Sequence, residues 1–211
     1  MTRAIEGLAA YQRDARRCTR CHDHGLVHFD GRRGVVLPLL QKQPTGALGV
    51  LIIGEAPNFE DTYDPAKGYL TYDADTDPSG RFMRQLLVEE VGLSLPELDD
   101  VLFTNAVLCL PREQDGKHPV SERQRDHCRP WLRRLIDVPG VRVVATLGSR
   151  PLEAVGQIER HGLTLKNSGT MHDWFGRKLL PLYHASPLGR VSRPEAMQRQ
   201  DIRALRTFLG R

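Results

Sequence analysis

No apolar run in the 211 residues approaches the ~20 that a membrane-spanning helix needs. That excludes a helical membrane protein and predicts no membrane partner. The opening stretch MTRAIEGLAAYQRDARRC scatters charges along its length and lacks the apolar core of a secretory signal, so the expected location is the cytoplasm. Internal repeats and low-complexity segments are also missing, which leaves one α/β domain over residues 1–211 as the economical reading. An acidic excess is lacking as well. The net charge is +4 and the sequence pI about 9.0, a mild bias toward an anionic partner. Cysteine is scarce, but its placement is informative. Cys18 and Cys21 form CTRC, while Cys109 and Cys128 stand far downstream around one loop. In a reducing compartment that pattern points to a metal site before it points to disulfides.

What is present reads as strands alternating with helices. A loosely amphipathic helix runs to about Arg17, with Ile5, Leu8, Ala9 and Tyr11 on one face. GVLIIGEAP (49–57) is a buried strand entering a tight turn. Residues 58–78 read as loop, and Ser79 is placed to cap a helix carrying Phe82, Met83, Leu86, Leu87 and Val91 that stops at Gly92. VLFTNAVLC (101–109) is a second buried strand, followed by a polar loop from Pro111 to Val120. Ser121 caps a helix whose face is Cys128, Trp131, Leu132, Leu135 and Ile136. VRVVATLG is a third strand, with a helix from about Arg150. KLLPLYHASPLGR is a last short strand ending in a turn, and a basic helix starts near Pro194. Such alternation predicts parallel strands joined by right-handed crossovers.

Ligands of such sheets bind beyond the carboxyl ends of the strands. Three strands here end on chemically loaded turns: GEAPNFED with Glu55, TNAVLC with Asn105, and YHASPLGR with His184. Asn105 poses a particular question, because burying an unpaired amide costs roughly 1–3 kcal/mol. A neighbour, a water or a ligand has to satisfy it.

GEAPNFED, TNAVLC, HCRPWL, VVATLGSRPL and YHASPLG resemble, in this order, the motifs of the iron–sulfur uracil-DNA glycosylases, over a span from Cys18 to about Arg190. The resemblance implies a three-layer α/β/α sandwich around a mostly parallel four-stranded sheet. It implies a [4Fe–4S] cluster on Cys18, Cys21, Cys109 and Cys128. It also implies a monomer, associated with the nucleoid, that hydrolyses the N-glycosidic bond of uracil or another deaminated base in DNA. By the same resemblance Asn105 reads the base, His184 stabilises the departing base, and Glu55 orients water or stabilises the cationic sugar. Gly54, Asn58, Tyr69, Tyr72 and Ser186 complete the substrate-binding set, Asp61 shapes its loop, and Leu188 and Arg190 meet DNA. Arg193, Arg199, Arg203 and Arg206 are further phosphate candidates.

The chemistry of the residues agrees with that reading. A base must leave the duplex to be reached, and an asparagine amide both donates and accepts, which suits uracil's adjacent carbonyl and N–H. Three departures from the family pattern bear on base choice: Asn58 where glycine is usual, an insertion around Tyr69 and Tyr72 where a stacking phenylalanine is usual, and Ala185 where proline commonly follows the histidine. Two other functions compete. One is a lesion-binding protein that captures uracil DNA, covalently through His118, with little turnover. The other is a non-catalytic nucleic-acid-binding module built on zinc held by the four thiolates.

Overall fold

The computed structural model describes residues 2–15, 17–27, 48–57, 78–98 and 100–211. Helix α1 (Thr2–Ala15) comes first, then strand β1 (Val50–Gly54). Helix α2 (Pro78–Gln85) passes into a π-helical turn (Leu86–Val91), and the short α3 (Leu95–Leu98) leads to β2 (Leu102–Asn105). After α4 (Glu122–Ile136), β3 (Val143–Leu147) and α5 (Ser149–Gly156) come the antiparallel pair β4 (His172–Trp174) and β5 (Arg177–Leu182). Helices α6 (Pro187–Ser192) and α7 (Glu195–Phe208) close the chain.

The strands form one sheet in the order β2-β1-β3-β5-β4, parallel except for β4. The expected sheet of four strands gains a fifth at its edge. Strand β4 spans only three residues, HDW, without an apolar run to mark it, and it joins β5 through Phe175 and Gly176, both at positive φ. Two positive-φ residues in succession make the tight turn whose twist matches a hairpin.

Apolar residues alternate to opposite faces along each central strand. Leu51, Ile53, Leu102 and Val144 pack with Leu8, Tyr11, Leu132, Leu135 and Leu152 from α1, α4 and α5. Val50, Ile52, Phe103, Val143 and Ala145 pack with Phe82, Leu87, Ile202 and Leu205 from α2, the π turn and α7. Both faces of the sheet are thereby covered, and this explains why its parallel strands read as unbroken apolar runs. The result is a three-layer α/β/α sandwich. The carboxyl ends of β1, β2, β3 and β5 share one edge.

Local signals set several boundaries. Ser121 caps α4 with its side chain, accepting from Gln124 N, while Gln124 Oε1 accepts from Ser121 N at 2.9 Å. Ser79 does not act as the expected cap: it lies inside the helix, after Pro78. Gly92, at φ 82°, ends the π turn in the left-handed conformation that glycine adopts at little cost.

Candidate active site

Strands β1 and β2 stay paired beyond their ends: Ala106 N donates to Gly54 O at 2.8 Å and Val107 N to Glu55 O at 2.9 Å. This fixes the Glu55 turn against the segment carrying Asn105. Gly54 lies in register with Asn105, and a Cβ on Gly54 would run into the Asn105 Oδ1 atom. Glycine is therefore needed here for close approach, and it determines where the amide sits. Asn105 is only 7% exposed, and its side chain has no hydrogen-bond partner among the described residues. Its amide lines a cleft of about 550 Å³ together with Glu55, His118, Leu147 and His184. The requirement raised by the sequence, that something must satisfy this amide, is thus directed at whatever enters the cleft.

A second lobe of about 380 Å³ is lined by Ser149, Arg150, Ser186, Leu188 and Gly189. The two lobes share Glu55, Leu147 and His184, so the carboxylate and the imidazole stand where they meet. Burial pushes the Glu55 carboxyl up from its ordinary pKa, against the opposing pull of Arg150 and Arg125.

His184 is held by the turn that follows it. Ser186 N donates to His184 Nδ1 at 3.1 Å. A backbone N–H can only donate, so Nδ1 accepts and the imidazole proton sits on Nε2. Ser186 then caps α6, its Oγ accepting from Gly189 N at 3.1 Å. A Cβ on Gly189 would collide with the His184 carbonyl oxygen, so the last glycine of HASPLG lets α6 pack against the histidine backbone. Leu188 is 77% exposed at the rim of the second lobe and Val191 79% exposed on the same helix. The Arg190 guanidinium lies over the Phe82 ring, 4.9 Å from its centroid.

Three of the downstream arginines are engaged within the fold. Arg193 forms a two-pronged pair with buried Asp201 at 3.0 and 2.7 Å. Arg199 binds Glu89, Glu90 and Glu195, and Arg203 binds Glu90. Arg199 and Arg203 clamp α7 to the π turn, and Arg193 ties the end of α6 to α7, so the three arginines that the sequence offered to phosphates carry ion pairs within the fold.

The four cysteines are free thiols that converge. Cys21 is close enough to Cys109 and Cys128 for the thiols to act on one another, and Cys18 lies within electrostatic reach of both. Further contacts reach Cys21 Sγ from His127 Nδ1 at 3.7 Å and Cys128 Sγ from Leu108 N at 3.5 Å. The contact with Cys21, together with burial, pushes the Cys109 and Cys128 thiols up; a bound cation would reverse that preference. No three or more His, Cys, Asp or Glu among the described residues are arranged around a single ion. The donor set is four thiols, buried except for half-buried Cys18, and it is chemically suited to a thiolate-held centre.

The sequence treated Pro111–Val120 as a plain loop. It is a hairpin, with Gln114 and Lys117 exchanging backbone hydrogen bonds of 2.7 and 3.0 Å across Asp115 and Gly116, both at positive φ. An Asp-Gly pair is a hairpin signal, here without the alternating apolar flanks that make it stand out in a sequence. Its Gly116, Lys117, His118 and Pro119 form a wall of the first lobe. Asn58, Asp61, Tyr69 and Tyr72 lie outside the described residues.

The α/β/α sandwich thus presents an amide, a carboxylate and an imidazole from its strand ends to one cleft. A family model, that of the uracil DNA glycosylase superfamily, matches residues 42–206. The chain belongs to the uracil-DNA glycosylase superfamily. The matched span includes Glu55, Asn105, Cys109, Cys128 and His184; it begins after Cys18 and Cys21.

Proposed function

We propose that the chain is an iron–sulfur uracil-DNA glycosylase that flips uracil from DNA and hydrolyses its N-glycosidic bond, leaving an abasic site. The observation that carries this reading is the meeting of Asn105, Glu55 and His184 at one cleft. In this account the Asn105 amide pairs with the edge of the flipped base, held in register by the strand end. The C1′–N1 bond breaks with its electron pair going to uracil. His184 donates Nε2–H to the base oxygen on which that charge accumulates, and one preorganised donor of this kind contributes about 2.7–4 kcal/mol. Water adds its oxygen to C1′ and gives its proton to Glu55. A carboxyl whose pKa is raised by burial is the better base for that step.

The convergence of Cys18, Cys21, Cys109 and Cys128 supports a [4Fe–4S] cluster in which these residues are the ligands. When bound, the cluster would supply a cross-link between the N-terminal segment, the segment after β2 and α4. A brown protein with about four iron and four sulfide per chain fits this assignment, whereas a colourless protein carrying one zinc does not.

The decisive assay incubates the protein with oligonucleotides carrying uracil, hypoxanthine, xanthine or mismatched thymine and then tests for abasic sites. Uracil-dependent sites are expected, and their absence on every substrate overturns the proposal. One observation favours a second reading. His118 lines the same lobe as Asn105, and its ring Nδ1 donates to Pro111 O at 2.8 Å, which fixes the imidazole against the root of the hairpin. If His118 captures the opened sugar, a denaturation-stable protein–DNA adduct replaces the free abasic product.

A further inference from the structure

We infer that the Gln114–Lys117 hairpin is a second DNA-gripping element, in which Lys117 holds a backbone phosphate on the side of the cleft away from Leu188 and Arg190. This rests on the reading of the cleft as a DNA glycosylase site. Its starting point is where positive charge is available. Three arginines of the C-terminal region are tied to Asp201, Glu89, Glu90 and Glu195, so the basic character of that segment is largely neutralised within the fold. Lys117 differs: it is exposed, has no ion pair among the described residues, and lines the lobe that holds Asn105 and His184. The two lobes meet at Glu55, Leu147 and His184. The hairpin and α6 therefore flank the reacting groups from two sides, and a strand entering the cleft passes between them.

The hairpin is also anchored well enough to hold a fixed charge. Its own turn is closed by two backbone hydrogen bonds. Its root is tied to the CxxC segment, where Val27 pairs with Pro111 and Arg112 N donates to Leu26 O at 3.0 Å. Gln124 Nε2 donates to the same Leu26 carbonyl at 2.9 Å, joining the start of α4 to that root. His118 Nδ1 closes the return of the hairpin onto Pro111 O. A flexible lysine stem on a rigid tip suits a phosphate, which asks for charge more than for orientation. The exposed acids Glu113 and Asp115 share the hairpin but do not line the lobe.

The test measures binding of the intact protein to an undamaged duplex, and the protein concentration giving half-maximal single-turnover excision on a uracil duplex, across a series of salt concentrations. Lys117→Ala is expected to weaken both several-fold at low salt and to lower the slope of log affinity against log salt by about one. The loss should fall on the half-saturating concentration more than on the maximal rate, and Lys117→Arg should restore it. An unchanged slope overturns the inference, as does a loss confined to uracil DNA, which would place Lys117 on the base. Wild-type protein that binds DNA but makes no abasic sites sinks the glycosylase reading while the slope still decides the role of Lys117. Wild-type protein that binds no DNA overturns both.

Discussion

Asn105 reaches the cleft because two residues cooperate: its own position at the end of β2, and the glycine at position 54 whose missing Cβ makes room for the amide oxygen. Asn105→Asp replaces the amide donor with an acceptor and sets negative charge against the uracil carbonyl. Uracil excision should collapse, and cytosine, which offers an amino donor at that edge, should be tested for gain; retained uracil preference would mean another group reads the base. Glu55 gives a prediction with a defined sign. Its pKa is raised in the fold, so the protonated form is favoured there and the ionised form costs stability at neutral pH. Glu55→Gln should therefore raise the melting temperature at pH 7–8 and lose that advantage as pH falls through the Glu55 pKa. Wild-type excision should in turn decline on the acid side at a pH above the ordinary carboxylate range, and that limb should vanish in Glu55→Gln. A thermal-shift series and a pH–rate profile check the two halves separately.

At the scale of elements, α6 is the part that turns a sequence motif into geometry. The HASPLGR stretch reads as a turn, yet Ser186 caps a short helix there and Gly189 packs on the His184 carbonyl. Gly189→Ala should shift the histidine without unfolding the protein. Excision should fall, circular dichroism should be unchanged, and Asn105-dependent base preference should persist. Unaltered excision would mean that α6 yields without moving His184.

Much of the sandwich was legible, because strands buried on both faces leave unbroken apolar runs such as VLII and VRVVATL. Strand β4 was not, since three residues cannot show a period. The hairpin was overlooked because Asp115-Gly116 sits among polar residues. The cleft carboxylate, amide and histidine could be picked out from the motif order, whereas the employment of Arg193, Arg199 and Arg203 could not. A basic helix face looks the same in sequence whether its partners are phosphates or the fold's own carboxylates.

At the scale of the whole molecule, the four-thiol site and the substrate cleft share a piece of structure. Cys109 and Cys128 bracket the Pro111–Val120 hairpin, and the CxxC segment pairs with its root. If the four thiols hold the proposed cluster, stripping its iron with a chelator under mild denaturant should expose the hairpin and the N-terminal segment to protease before the sheet unfolds. Affinity for all DNA should fall with it. Simultaneous loss of the sheet and hairpin would show that the thiol site instead holds the entire fold.

The central claim is that this cleft breaks the glycosidic bond of uracil with His184 stabilising the departing base. Single-turnover excision from a uracil oligonucleotide, with enzyme in saturating excess, tests it most directly when wild type is compared with His184→Ala. The account predicts abasic sites from the wild type, and a His184→Ala rate lower by about a hundred- to a thousandfold with uracil still the preferred base. A His184→Ala rate equal to wild type would contradict it.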